Sequence, residues 1–279
     1  MTASLLLAVL FLLGVATGGL SNVTSGGAGI FTIFFLTQYL GLSIQDSTGT
    51  VLAASTIIVL IGAVSFFRQG RVNSQLAITV GVSGVGAAFV AARWAASIDS
   101  NTLKQVFGVF TFALALYMVA RLYLDLRAEK IKRASPTAVP TEPLGPSRWM
   151  GTDPLALSVQ VLKGVFIGFA TGLFGVGLAS LSIVLFMLLF RLDLKTILGT
   201  SLFASFMRYL GGSVGYLSTG LIDPTYFLVI VAGGAIGSLV GARVILKNER
   251  GSMDTYVKLL VIAVLLFVSY EFLLKKVGA

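Results

Sequence analysis

Arg208 carries the clearest chemical consequence in this chain. It stands in Phe206-Met207-Arg208-Tyr209-Leu210, midway along an apolar run from 196 to 217 that holds no other ionised residue. A charge at that depth in a bilayer costs at least ~2.5 kcal/mol on the mildest insertion scale, so the guanidinium must face a cavity, a partner or an anion. Snorkelling, or bonding to freed backbone carbonyls, is the structural alternative. Two hydroxyl-rich signatures add to it: Gly49-Thr50-Val-Leu-Ala-Ala-Ser55 and Gly199-Thr200-Ser201-Leu-Phe-Ala-Ser205. Both read as helix starts, where open backbone N–H groups and the positive end of the dipole favour an anion. Thr50, Thr200, Ser201 and Ser205 are therefore candidate anion ligands, although Ser and Thr also bond back to their own helix or pack between helices.

Two Gly-rich breaks complete the set: Gly18-Gly-Leu-Ser-Asn-Val-Thr-Ser-Gly-Gly27 and Gly172-Leu-Phe-Gly-Val-Gly177. Glycine permits a turn and exposes amides to a ligand, which makes Gly26, Gly27, Gly175 and Gly177 candidates. Ser21, Asn22, Thr24 and Ser25 add polar groups to the first break only, and Asn22 is the candidate ligand among them. Plain hairpin geometry accounts for the glycines equally well. Neither break is a soluble phosphate loop, since no Gly-Lys-Ser/Thr follows. Gln38 and Tyr209 could line a cavity, but they read more readily as interfacial or packed side chains. The chain has no cysteine and no histidine, which removes thiolate and imidazole chemistry; no cofactor and no metal site is expected.

These groups must be positioned by elements that the chain states twice. Gly14-Val-Ala-Thr-Gly18 returns as Gly168-Phe-Ala-Thr-Gly172, and beyond the breaks an offset of 150 pairs Gly62 with Gly212, Gly70 with Gly220, Gly84 with Gly234 and Ala92-Arg93 with Ala242-Arg243. Arg208 is matched by Ile58, so duplication alone does not explain the charge. Each half reads as a short apolar pair split by glycine, then three longer helices. The first half gives 5–20 and 27–40, then 47–67, 75–92 and 103–124; the second gives 157–173 and 177–190, then 196–217, 225–246 and 255–274. The short segments fall below the ~20 residues that a spanning helix needs, so each pair is a re-entrant hairpin or two tight spans.

Either choice gives an odd number of crossings per half, so the halves face opposite ways. The expected fold is an all-α polytopic membrane protein of two inverted-topology repeats, 1–124 and 157–279, joined by a linker at 125–156. Composition agrees with a membrane protein: 56% of residues are hydrophobic, 11% are charged and the mean hydropathy is +0.96, too little polar surface to coat a soluble globule. The net charge of +9 follows topology rather than a nucleic-acid partner. No Lys or Arg precedes Arg68, and the densest cluster of basic residues is in the central linker, where they mix with acidic ones. With the linker in the cytoplasm, Arg68, Arg71, Arg191, Lys195, Arg243, Lys247 and Arg250 share its side, and both termini are extracytoplasmic. Pro136, Pro140, Pro143 and Pro146 stop any helix beyond about Arg133.

Glycines four apart, Gly14/Gly18, Gly168/Gly172, Gly211/Gly215 and Gly233/Gly237/Gly241, suit close helix contact, within the subunit or in a homodimer. With the duplicated Gly-rich hairpin, the Gly-Thr-Ser-Leu at 199–202, the turn at Gly220 and the run ending Gly241-Ala242-Arg243, nearly the whole chain resembles the sulfite exporter TauE/SafE family. The resemblance implies transport of small organosulfur anions such as sulfite, sulfoacetate or related sulfonates across the cytoplasmic membrane. Members usually carry a longer run of adjacent glycines in each hairpin than Ser25-Gly-Gly-Ala-Gly29 and Gly175-Val-Gly-Leu-Ala179 offer here.

The expected function is thus a carrier working by alternating access between the repeats, with an anion channel, or a transporter of a different small organic anion, as the alternative. An intramembrane enzyme is disfavoured, because no buried carboxylate pair, His or Cys supplies an acid, base or nucleophile.

Overall fold

The computed structural model describes residues 3–134, 154–175 and 192–247, with isolated positions at 183, 186, 262, 263, 266, 267 and 269–272. Every described element is helical. The chain forms α1 (Ala3–Thr24), a 3-10 turn (Gly27–Gly29), α2 (Ile30–Tyr39), α3 (Ile44–Phe67), α4 (Ser74–Ser97), α5 (Ser100–Ala134), α6 (Pro154–Phe174), α7 (Leu194–Leu217) and α8 (Pro224–Lys247). Among the described residues six helices, α1, α3, α4, α5, α6 and α8, contain stretches long and apolar enough to cross a membrane. α7 matches α3 and α4 in length at 24 residues but carries Arg208 and a run of hydroxyls. The segments expected at 177–190 and 255–274 lie outside the described residues, apart from the isolated positions above.

Helix boundaries follow capping chemistry. Ser43 accepts the Asp46 N–H ahead of α3, and Asp193 accepts that of Thr196 ahead of α7. Asn73 serves Leu76 at the start of α4, and Asp223 serves Tyr226 at the start of α8. Such caps satisfy donors that the first turn leaves open. α3 and α7 end alike. Phe66 O accepts from Arg71 N at 3.0 Å and Tyr216 O from Leu221 N at 3.2 Å, around Gly70 and Gly220 at φ 67° and 74°, left-handed positions that favour glycine.

The first two segments of the expected pattern need correction. The first glycine break was placed from Gly18, yet α1 runs unbroken to Thr24 and spans 22 residues. Its glycines serve contact instead of a turn. Gly14 faces the α8 backbone, where a methyl group would stand 3.2 Å from Gly234 N, and Gly18, Gly233 and Gly237 would each clash with main chain of the opposite helix. α1 and α8 run in the same direction, Gly14 beside Ile230 and Gly19 beside Gly237 and Gly241. α4 and α6 repeat the arrangement: a methyl group on Gly84 would stand 2.6 Å from Gly164 O, and one on Gly172 would stand 2.9 Å from Ala91 Cβ. Backbone contact of this kind supplies dispersion energy where lipid offers no hydrophobic drive between helices. Within this first break the chain therefore turns at Ser25 and Gly26, with φ of 56° and 97°.

The chain forms two compact units, and each draws on both halves of the sequence: 1–100 with 147–249, and 101–146 with 250–279. In the second, Phe107 meets Phe272 edge-on at 5.5 Å and the Ser269 hydroxyl donates to Gly108 O at 3.2 Å. In the first, α3 packs on α7, with Thr56 and Ser213 hydroxyls 2.9 Å apart. Phe66 lies against Gly199, and Tyr216 lies against Gly49 in the corresponding place. The Tyr216 hydroxyl is buried and finds no hydrogen-bond partner among the described residues. Tyr216→Phe should therefore raise thermal stability in detergent, by roughly 1 kcal/mol, as the unmet polar group is removed; a lower unfolding temperature would show that the hydroxyl is bonded.

Candidate anion site

Ser201, Ser205 and Arg208 fall at intervals of four and three along α7, so they share one stripe of the helix. All three are fully buried. Arg208 Nη2 donates to Ser205 Oγ at 2.9 Å. The arginine stem crosses α4 at Gly84, where a methyl group would stand 2.8 Å from both Cγ and Cδ. At the corresponding place on the other side, Gly234 receives the side chain of Ile58. The glycine pocket is thus common to both places, and only one holds a charge.

The turn after α1 closes on this stripe. Ser201 Oγ donates to Leu198 O at 3.0 Å, which spends its one proton, so Ser25 Oγ is the donor in the short bond joining Ser25 to Ser201. Gly26 lies under Tyr209, a methyl group there falling 2.6 Å from the phenol oxygen and 3.0 Å from Val59 Cγ2. Gly27 is buried in the 3-10 turn that follows. Three of the expected residues, Arg208, Ser201 and Ser205, therefore share one buried stripe, and Gly26 and Gly27 lie in the turn that Ser25 ties to it.

The other expected ligands are placed elsewhere. Asn22 Nδ2 donates to Ser238 O at 3.0 Å and to Gly18 O at 3.3 Å, and its Oδ1 lies against Gly62; it ties α1 to α8 and α3. Thr50 and Thr200 are each the seventh residue of their helix, beyond the first turn whose N–H groups are open. That is a correction to the helix-start argument: α3 and α7 begin earlier than expected, at residues 44 and 194. Their hydroxyls accept instead from the turns that precede α8 and α4, Thr50 from Asp223 N at 2.8 Å and Thr200 from Asn73 N at 2.9 Å. Gly175, at φ 70°, ends α6 beside Thr48 and Ile33. Gly177 lies outside the described residues.

These two threonine bonds form a matched pair, and replacing either with valine leaves one part-buried N–H unmet. Thr50→Val and Thr200→Val should each lower stability by about 1–3 kcal/mol, by similar amounts, as read from unfolding temperatures in detergent. A large loss for one and none for the other would show the pair to be unequal.

Tyr209 was expected to be packed or interfacial, and its place over Gly26 was not foreseen. The usable signal was its position next to Arg208 on a buried helix, together with the bare glycine needed to admit the ring. Among the described residues no group of three or more His, Cys, Asp or Glu could hold a metal ion. What the locus offers is a buried guanidinium beside serine hydroxyls, groups able to form charge-assisted hydrogen bonds with an oxyanion.

Residues 8–272 match the family model described as "Sulfite exporter TauE/SafE". The chain is 26% identical to "Probable membrane transporter protein YdhB" of Bacillus subtilis (strain 168), over 86% of its own length and 89% of the relative's. It is 25% identical to "Probable membrane transporter protein YunE" of the same organism, over 94% and 97% of the two chains. A third relative, "Probable membrane transporter protein MJ0441" of Methanocaldococcus jannaschii, is 25% identical over 77% of this chain and 73% of its own. No solved structure gives a significant match.

Proposed function

Because the chain belongs to the TauE/SafE sulfite exporter family, and is thus a multi-pass membrane transporter and not an enzyme, we propose that it carries a small organosulfur anion, sulfite, sulfoacetate or a related sulfonate, bound at Arg208. The observation that carries this reading is the arginine itself: 0% exposed in the middle of a helix, with Nη2 on Ser205 Oγ. Arg208 supplies the charge. Ser205, whose oxygen accepts from Arg208, keeps its proton for an anion oxygen, the Ser25–Ser201 pair would re-aim a hydroxyl when the ligand arrives, and Gly26 and Gly27 bring backbone close to the ligand. Gly175 and Gly177 would serve from the second break. Asn22, Thr50 and Thr200 act one step away, by fixing the helices that hold the turn and the stripe.

The halves 1–124 and 157–279 are proposed as inverted repeats around this site. The matched bonds of Thr50 and Thr200, the matched turns at Gly70 and Gly220 and the matched contacts of Gly234 and Gly84 support that reading. Arg68, Arg71, Lys195 and Lys247 gather at the end where α3 and α8 finish and α7 begins, whereas Asp46, Asp99 and Asp223 lie at the other. The basic end is assigned to the cytoplasm together with the linker 125–156, and the termini to the outside, by the excess of Lys and Arg. With an interior potential of about −100 mV, outward movement of one negative charge is favoured by ~2.3 kcal/mol, so export needs no coupled ion.

The test is flux of sulfite, sulfoacetate, taurine and a carboxylate control in proteoliposomes. Saturable flux of the sulfur anions above the carboxylate supports the substrate class. Preference for the carboxylate would overturn it, and ohmic single-channel current would replace the carrier by a channel.

A further inference from the structure

We propose that the bodies which move during transport are not the two sequence halves but two mixed bundles, α1–α2–α3–α8 and α4–α6–α7, held together at opposite ends by a pair of alternative latches at Gln45 and Lys195. The proposal rests on the transporter reading above and concerns how access to the site alternates.

Contacts inside each bundle are made by main chain. α1 meets α8 and α4 meets α6 through glycines that would clash with the opposite backbone if they carried a methyl group. α8 is bonded to α3 by the Ser238 hydroxyl on Ile58 O at 2.9 Å and by Thr50 on Asp223 N. α7 is bonded to α4 by Thr200 on Asn73 N, and Gly215 would meet Phe89 O at 2.8 Å. Since α1 comes from the first half and α8 from the second, a rigid rocking of one half against the other would have to shear these contacts. Packed backbone of this kind does not slide by small amounts.

Contacts between the bundles are of another kind. Away from the crossover turns they are hydroxyl pairs and side-chain contacts, Thr56 with Ser213, Ser25 with Ser201, Tyr209 over Gly26, Gly175 beside Thr48 and Leu52 over Gly212, whereas the tight contacts of Gly49 with Tyr216 and of Gly199 with Phe66 sit beside the Gly220 and Gly70 turns. The anion locus therefore lies on the seam between bundles, the position that alternating access requires. The chain crosses from one bundle to the other at the Gly70 and Gly220 turns.

Each end of the seam is closed by a side chain at the same position in its half. At one end Gln45 of α3 donates from Nε2 to Ile98 O, beyond the last turn of α4, at 2.7 Å, and is itself held by Ser100 Oγ on its Oε1 at 2.7 Å. At the other, Lys195 of α7 donates to Leu246 O in the last turn of α8 at 3.0 Å. Both satisfy carbonyls that a helix end leaves open. With both formed the seam is shut at each end, and opening either exposes the site to that side alone.

The native chain has no cysteine, so a single probe is unambiguous. Ser201→Cys is placed in full-length protein, reconstituted in oriented proteoliposomes, and labelled with a membrane-impermeant maleimide from each side. Lys195→Ala and the less disruptive Lys195→Met should raise labelling from the basic end roughly two- to tenfold, the shift one lost hydrogen bond produces, and lower it from the other. Gln45→Ala and Gln45→Leu should do the reverse. A Thr56→Cys/Ser213→Cys disulfide, closed across the seam, should abolish both responses. A short bifunctional thiol reagent joining Trp94→Cys to Phe169→Cys, whose rings lie 5.9 Å apart inside one bundle, should leave them. Responses on the same side for both latch positions, increased labelling from both sides at once, or no response would overturn the proposal, as would a freely responding seam disulfide. Labelling needs no substrate. Flux is therefore read on the chain without the cysteine probe, where absence of sulfonate flux, with sided labelling intact in the probe variant, would count against the substrate class alone.

Discussion

Arg208→Ala should reduce sulfonate flux in proteoliposomes by roughly 30-fold or more while the protein still folds and inserts. Removing one partner of a buried charged contact costs about 2–5 kcal/mol, and each ~1.4 kcal/mol is a factor of ten. The fold should survive because the equivalent place is already filled by an uncharged side chain: Ile58 occupies the glycine pocket at Gly234 as Arg208 occupies that at Gly84. Arg208→Lys should retain part of the flux, since the charge remains but the planar fork, which bonds Ser205 and could present parallel N–H groups to an anion, is lost. Equal flux in wild type and Arg208→Ala, measured on matched amounts of monodisperse protein, would make the arginine structural.

Gly237→Val should have the largest effect on stability. Gly237 lies against Val15 O and against Gly19 N at 2.9 Å from where a side chain would begin, so a branched side chain must push α1 away from α8 along their length. Overpacking alone costs about 1–3 kcal/mol, occasionally more, and here the obstructing atoms are main chain and cannot change rotamer. Loss of folded protein, or a marked fall in the unfolding temperature, is the expected outcome. Gly86→Ala is the matched control, because nothing stands within 4 Å of the new methyl group and alanine favours the helix by ~1 kcal/mol. An unimpaired Gly237→Val would contradict the backbone contact on which the bundle description depends.

Much of this architecture is legible in the sequence, for reasons that differ by feature. Arg208 announces itself because an ion inside an apolar run has no inexpensive explanation. The bounds of α3, α7 and α8 are nearly readable because Ser43, Asp193 and Asp223 cap them and Gly70 and Gly220 close the turns between them. The glycines of α1 misled for a physical reason. The same residue that allows a break also allows close approach, and only the helix across from Gly18, some two hundred residues later in the chain, decides which use prevails. Thr50 and Thr200 misled similarly: hydroxyls near a helix start suggest an anion, yet each is engaged by an N–H from a distant turn. Tyr209 over Gly26 and the pairing of α1 with α8 are long-range facts, and local pattern holds no record of them.

Equilibrium binding of sulfoacetate to the purified protein, compared between wild type and Arg208→Ala, tests the central claim most directly, because it asks about the site without asking about motion. The account predicts saturable binding in wild type, competed by sulfite, and no saturation in Arg208→Ala. Undiminished binding to Arg208→Ala would contradict it and place the anion elsewhere in the chain.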